Sequence, residues 1–309
     1  MLLRAALVVS LLWACSSARA DLTFNSAYVM VVDETSGEIL LKKNVGVAAP
    51  IASLTKLMTA MVVLDAQQDP DEELRIDVAD IDELKHSRGG VRVGAVVSRG
   101  SLLELALLAS DNRAASALAR SYPGGLQAFN AAMRRKIQAF GLESMSIAEP
   151  TGLSPSNMAS AQDMVAVLRA AARYPAIAQI TSQRSHAVLV SGRHKVVHNT
   201  NRLVGGSEWE VFLSKTGFTN EAGRCLGMQA RADGRTVTIV LMGAAKPSGR
   251  LRDSMTIRRW LATDRRRADG GTTESGASEP SVSRSAAGGT SESAAEPGST
   301  DGRRSSEAI

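Results

Sequence analysis

Cysteine, histidine and aromatic side chains are scarce in this 309-residue chain: two Cys, four His, and only 4% Phe, Trp and Tyr. His86, His186, His194 and His198 form no H-E-x-x-H pattern, and Cys15 and Cys225 form no C-x-x-C pair, so zinc chemistry has no ligand set to start from. No metal and no cofactor is expected, and the eleven Met read as core filling. After the N-terminus no apolar run approaches the ~20 residues of a membrane-spanning helix, which argues against a polytopic membrane protein. A dense basic block is missing too. Residues 21–264 hold 28 Lys and Arg against 24 Asp and Glu, a mild excess that gives no footprint for nucleic acid despite a pI near 9.5. What is present, 44% apolar and 22% charged residues, suffices for a substantial core and points to a metal-free hydrolase or binding protein.

The ends of the chain differ from its middle. Residues 1–20 run from Arg4 through the apolar stretch Ala5–Ala14 to Ala18-Arg19-Ala20, the order of a secretory signal peptide, with cleavage expected after Ala20. A periplasmic or secreted location follows. Leu12-Trp13-Ala14-Cys15 loosely resembles a lipoprotein box, which the bulky Trp13 fits poorly. Cleavage after Ala20 leaves Cys225 as the sole cysteine, unable to form an internal disulfide. From Arg265 to Ile309 the composition turns to Gly, Ser, Thr, Ala, Pro, Glu and Arg, with Val282 and Ile309 as the only branched aliphatics, so a disordered tail is expected.

Between these ends, Ala27–Asp33 and Glu38–Lys43 are β-rich and joined by Glu34-Thr35-Ser36-Gly37, a hairpin at the start of the domain. Leu54, Leu57, Met58, Met61, Val62 and Leu64 place an apolar face on a helix from about Ser53 to Gln67. Helical patterns continue over Leu102–Leu108, Arg113–Ser121, Gly125–Phe140 and Gln162–Tyr174. Strand patterns return at Ala187–Ser191, Lys195–Asn199, Arg224–Arg231 and Thr236–Ala244, with Gly192-Arg193 and Asp233-Gly234 as tight turns, and Ser248–Ala262 closes as a helix. This order predicts an α+β fold: an antiparallel sheet built from both chain ends, flanked by helices, with a helical insertion over about 53–180 inside a 21–264 domain.

Three short motifs carry chemistry. Ser53-Leu54-Thr55-Lys56 puts a hydroxyl and an amine three residues apart on one helical face. Serine becomes a nucleophile when something takes its proton, and a lysine does so if its pKa falls from ~10.4 toward neutrality. Desolvation and a second cation both push that way, so another lysine or arginine is expected close in space. Ser110-Asp111-Asn112 occupies a turn between helices, where Ser110 is placed to relay a proton to a leaving amine and the Asn112 amide to orient Lys56 and substrate. Lys215-Thr216-Gly217 follows Val211-Phe212-Leu213 on a strand. Lys215 offers the second cation and Thr216 a hydroxyl, while Gly217 leaves room for a ligand against the strand. Each motif alone is common, as a helix cap or a strand end.

As a set and in this order, S-x-x-K, S-D-N and K-T-G are the signature of class A β-lactamases and penicillin-binding proteins. Ile51–Ala60, Glu149-Pro150-Thr151-Gly152-Leu153-Ser154, Asn199-Thr200-Asn201 and Lys215–Cys225 extend the match, and the chain from Ala27 to Ala262 resembles the low-molecular-mass penicillin-binding proteins, serine D-alanyl-D-alanine peptidases. Phe218–Cys225 is most similar to the D-alanyl-D-alanine endopeptidase branch, the penicillin-binding protein 7 type. The resemblance implies acyl transfer to Ser53 and then to water, on peptidoglycan stem peptides, with β-lactam antibiotics as covalent inhibitors. It implies Ser53 as nucleophile, Lys56 as base, Ser110 and Asn112 as cleft partners and Lys215 and Thr216 as anion-side contacts. The backbone N–H groups of Ser53 and Phe218 would then form the oxyanion hole.

Other readings stay open on the sequence. A DD-carboxypeptidase differs only in what lies beyond the scissile bond. A β-lactamase would need a glutamate in an E-x-x-L-N loop; Glu149 is followed by Pro-Thr-Gly-Leu-Ser instead. A non-catalytic wall-binding protein would not need Ser53, Lys56 and Lys215 together. Cys225, beside Leu226 and Met228, reads as a buried small hydrophobe, and His198 receives no role.

Overall fold

A computed structural model describes residues 22–87 and 89–268, with side chains to Asp264. The expected signal peptide, Cys15 and residues 269–309 of the expected tail lie outside the described residues. The strands are β1 (Tyr28–Asp33), β2 (Ile39–Lys43), β3 (Ala49–Pro50), β4 (Glu73–Arg75), β5 (Val96–Ser98), β6 (Met158–Ala159), β7 (Ser185–Val190), β8 (Arg193–His198), β9 (Glu210–Thr219), β10 (Gly223–Ala232) and β11 (Arg235–Ala244). The α-helices are α1 (Thr55–Asp65), α2 (Arg99–Leu108), α3 (Asn112–Arg120), α4 (Gly125–Ala139), α5 (Ala161–Ala171), α6 (Pro175–Thr181) and α7 (Gly249–Ala268).

The main sheet runs β2-β1-β11-β10-β9, antiparallel throughout, so both ends of the folded chain meet in it as expected. Strands β1, β10 and β11 are buried on both faces, and the two-residue alternation of a strand sorts their side chains between two cores. On β1, Met30 and Val32 join the helices α1–α5, whereas Val29 and Val31 face the opposite core with Ile257 and Leu261 of α7. The chain start is tied to α7 by the buried Asp253 carboxylate, which accepts from the backbone N–H groups and side chains of Asn25 and Ser26 at 2.6–2.9 Å.

Several details depart from expectation. Helix α1 is enclosed on nearly every side, with nine consecutive residues from Thr55 to Val63 buried, where an apolar face alone was expected. Ser53 precedes it in a 3-10 turn, Ala52–Leu54. Turns β7–β8 and β10–β11 each have two central residues at positive φ: Ser191 (48°) with Gly192 (73°), and Asp233 (50°) with Gly234 (76°). That is the type I′ geometry matching the strand twist, and it moves the first turn one residue ahead of the expected Gly192-Arg193. Helix α7 runs four residues past the 264 boundary.

Candidate active site

The site lies where α1, the α2–α3 turn and β9 converge. The 3-10 turn Ala52–Leu54 holds Ser53 just outside the first turn of α1, so Lys56 lies one turn further on. Lys56 is 1% exposed, and its amine donates to Ser53 Oγ at 3.0 Å, Asn112 Oδ1 at 2.7 Å and the Thr151 carbonyl at 2.6 Å. Burial pulls its pKa down to about 8, against the attraction of the Glu149, Asp111 and Asp82 carboxylates, in that order.

Ser110 adopts the left-handed region (φ 60°), uncommon for a serine, between α2 and α3. There its Oγ accepts from the Lys215 amine at 2.8 Å, bridging the helices to β9. The following Asp111 caps α3 through Ala114 N–H. Asn112 spans two partners, accepting from Lys56 and donating to Ser87 Oγ at 2.9 Å. Lys215, also 1% exposed, further donates to the Thr216 carbonyl, and Thr216 Oγ1 donates to Thr200 Oγ1 at 2.7 Å. Burial first, then repulsion from Lys56 and Arg250, holds the Lys215 amine well below the ordinary lysine range. The expected second cation is therefore present: repulsion between the two buried amines acts on both, and burial is the largest cause lowering each.

Gly217 lies against the protein's own turn. A first side-chain carbon there would lie 3.0 Å from Ile51 O, Ala52 Cβ and Ser53 N, so the glycine admits that turn. Gly152 (φ 87°) presses on the same turn from the other side, where any side chain would run into the Ala52 carbonyl. Ala52 itself is held at φ 47°. Two distant glycines thus fix a strained turn that carries Ser53. Phe218 is exposed at the end of the motif, with the Arg224 guanidinium 3.9 Å above its ring.

Sequence reasoning gave no role to the loop that brings Thr151 to Lys56. Glu149 Oε1 accepts from the N–H groups of Gly152, Leu153 and Ser154 and from Asn157 Nδ2, and its Oε2 from Thr151 N–H and Oγ1. The fully buried Asn157 ties this loop to Thr55 Oγ1 at 3.1 Å. With both oxygens engaged, Glu149 organises a loop and is poorly disposed to activate water as a β-lactamase glutamate does. Beside Thr216 a cavity of about 320 Å³ is lined by Thr200, Asn201, Arg224 and Arg250. Asn201 Nδ2 and Arg224 Nε, both buried there, have no partner among the described residues. No grouping of His, Cys, Asp and Glu suited to a metal occurs among the described residues. Cys225 is fully buried, its thiol pushed up to about 11. His198 is exposed on β8.

Fold and site together define a class: a serine peptidase in which, among the described residues, the hydroxyl faces a lysine amine and no histidine. The family follows from comparison with known proteins. Residues 15–246 match the D-alanyl-D-alanine carboxypeptidase family, the S11 peptidases, and the chain belongs to it. It is 40% identical to a D-alanyl-D-alanine endopeptidase of Pseudomonas aeruginosa and 39% identical to one of Escherichia coli, each match covering 77% of both chains. A crystal structure of a D-alanyl-D-alanine carboxypeptidase from Mycobacterium tuberculosis superposes with a TM-score of 0.65 at 29% identity, over 74% of this chain and 86% of that one. Among the described residues no helix is long and apolar enough to cross a membrane.

Proposed function

We propose that the chain hydrolyses peptide bonds made through D-alanine in peptidoglycan, chiefly the cross-links, through an acyl-enzyme on Ser53. The observation that carries this is the buried Lys56 amine donating to Ser53 Oγ at 3.0 Å, with a pKa of about 8. Neutral Lys56 takes the Ser53 proton as Oγ attacks the carbonyl carbon. The oxyanion forms between the N–H groups of Ser53 and Phe218. The C–N bond then breaks, the leaving amine takes the proton that Lys56 accepted, relayed through Ser110, and Lys215 steadies that hydroxyl at 2.8 Å. Water adds to the ester by the reverse route and frees Ser53. The unpartnered donors of Asn201 and Arg224 beside Thr216 support an anionic group on the leaving side.

Endopeptidase preference is supported by the two relatives near 40% identity; the family description and the mycobacterial structure favour carboxypeptidase action as the second reading. Residues 21–264 form the catalytic part in this proposal, acting outside the cytoplasm where that substrate lies. β-Lactams acylate Ser53 and leave slowly, since Glu149 is committed to its loop. The test is to incubate the protein with a defined cross-linked muropeptide dimer and a pentapeptide monomer and follow products by mass. Conversion of dimer to monomers, absent with Ser53→Ala, supports the endopeptidase. Loss of only terminal D-alanine moves the protein to the carboxypeptidases, and inertness to both overturns the peptidase reading.

A further inference from the structure

The two sides of the scissile bond can be assigned from the two serines. The leaving amine must reach Ser110 to be protonated, so the leaving strand runs toward Ser110 and Thr216, and the acyl strand runs the other way, past Asn112. On that side lies a second cavity, of about 470 Å³, lined in part by Asn112 and Thr151, the two residues that accept from the Lys56 amine beside Ser53. Asn112, Ser116 and Arg120, spaced four apart on α3, form one wall, and Glu149–Thr151 closes the end nearest Lys56. Its lining also carries apolar side chains left in solvent, Leu84 (60% exposed) and Leu126 (46%), together with Leu153. Its charge is one-sided: Asp80, Asp82, Glu83 and Glu149 against Arg120 alone. Arg120 is spent on Asp80 at 2.8 Å, and Asp82 caps the N–H groups of Leu84, Lys85 and Ser87. Glu83 is exposed, with no hydrogen-bond or ion-pair partner among the described residues.

A D-alanine cross-link can form only if the acceptor stem carries an amine on a side chain. Donor and acceptor are copies of one stem, so the donor has the same diamino residue, just before its D-alanine. Its amine is free unless it is itself cross-linked. Resting on the peptidase reading above, we propose that this cavity holds that donor side chain: the leucines take its methylenes and Glu83 its free ammonium. The enzyme then prefers donor strands at the end of a cross-linked run over those whose own side-chain amine is already acylated.

The test uses two synthetic cross-linked dimers differing only in whether the donor-side amine is free or N-acetylated, with kcat/KM measured for each. A preference of about fivefold for the free amine is expected, the scale of one exposed charge contact, and it should shrink at high salt. Glu83→Gln should bring the ratio near one, while Glu73→Gln, on β4 and outside the cavity, keeps it. Leu126→Ser should raise KM for both dimers with kcat little changed, the mark of lost uniform binding. Equal rates for the two dimers in the wild type, or an undiminished preference in Glu83→Gln, overturns the assignment while the peptidase reading stands. Failure to cleave either dimer, together with no acylation of Ser53 by penicillin, overturns both.

Discussion

Lys56 meets Ser53 at 3.0 Å and Lys215 meets Ser110 at 2.8 Å, yet the surroundings of the two amines have opposite sign. Around Lys56 stand three carboxylates that resist its loss of a proton; around Lys215 stand Lys56 and Arg250, which promote it. Two buried ammonium groups repel, so the pair disfavours carrying both protons at once. In the proposed mechanism Lys56 has to be the neutral one. On that reading the S-x-x-K pair supplies the base, and the K-T-G pair supplies the neighbouring charge that helps to keep it neutral.

The largest effect expected is from Ser53→Ala, which removes the nucleophile: penicillin labelling should vanish and peptide cleavage fall by at least about 10⁴-fold. Next, Lys56→Ala should slow acylation by about 10³-fold or more, and Lys215→Ala by about 10²-fold, both followed by labelling rate. Equal losses would erase the distinction between the pairs. The pH profile sharpens it. With the neutral amine as the proposed base, acylation should rise as pH passes upward through about 8, with about a tenth of Lys56 neutral at pH 7. In Glu149→Gln the largest attraction holding the Lys56 proton is lost, so the midpoint should move down, while the maximum falls about tenfold as the loop loosens. Smallest in its effect on catalysis is Asp253→Ala, far from either pair. It should cost about 3 kcal/mol and roughly 6–12 °C in melting temperature, with activity per folded molecule unchanged.

Much of this was legible in the sequence because it is written in local patterns. The central strands of the main sheet are runs of apolar and β-branched residues, α2, α4 and α5 repeat at helical spacing, and the three motifs carry reactive residues whose chemistry is intrinsic to their type. Other elements depend on partners far along the chain. β4 and β5 are three residues each and exist because Glu73–Arg75 pairs with Val96–Ser98, and β3 pairs with β6 across 110 positions of sequence, Ala49 to Ala159. Helix α6 is seven residues, started by Pro175 at its first position, too short to show a period. In the site, the hydrogen bond of Lys56 to the Thr151 carbonyl leaves no trace in residue type, since any residue has a carbonyl. Glu149 and Asn157 stood in view as part of a resemblance or as plain polar residues, and only the folded loop shows what their oxygens hold. Gly217 stands out in the sequence as part of a motif, and only the fold shows that the Ala52–Ser53 turn approaches it.

That turn makes the protein an unusual reporter on itself. Ser53 is held in place by Gly152 and Gly217, which come from the helical part and the sheet and lie 65 positions apart in the chain. A molecule in which either part has failed to dock presents the same serine and the same lysine in the wrong place. The amplitude of a penicillin burst therefore counts correctly assembled molecules, one ester for each, and during refolding it should lag behind the recovery of helix signal.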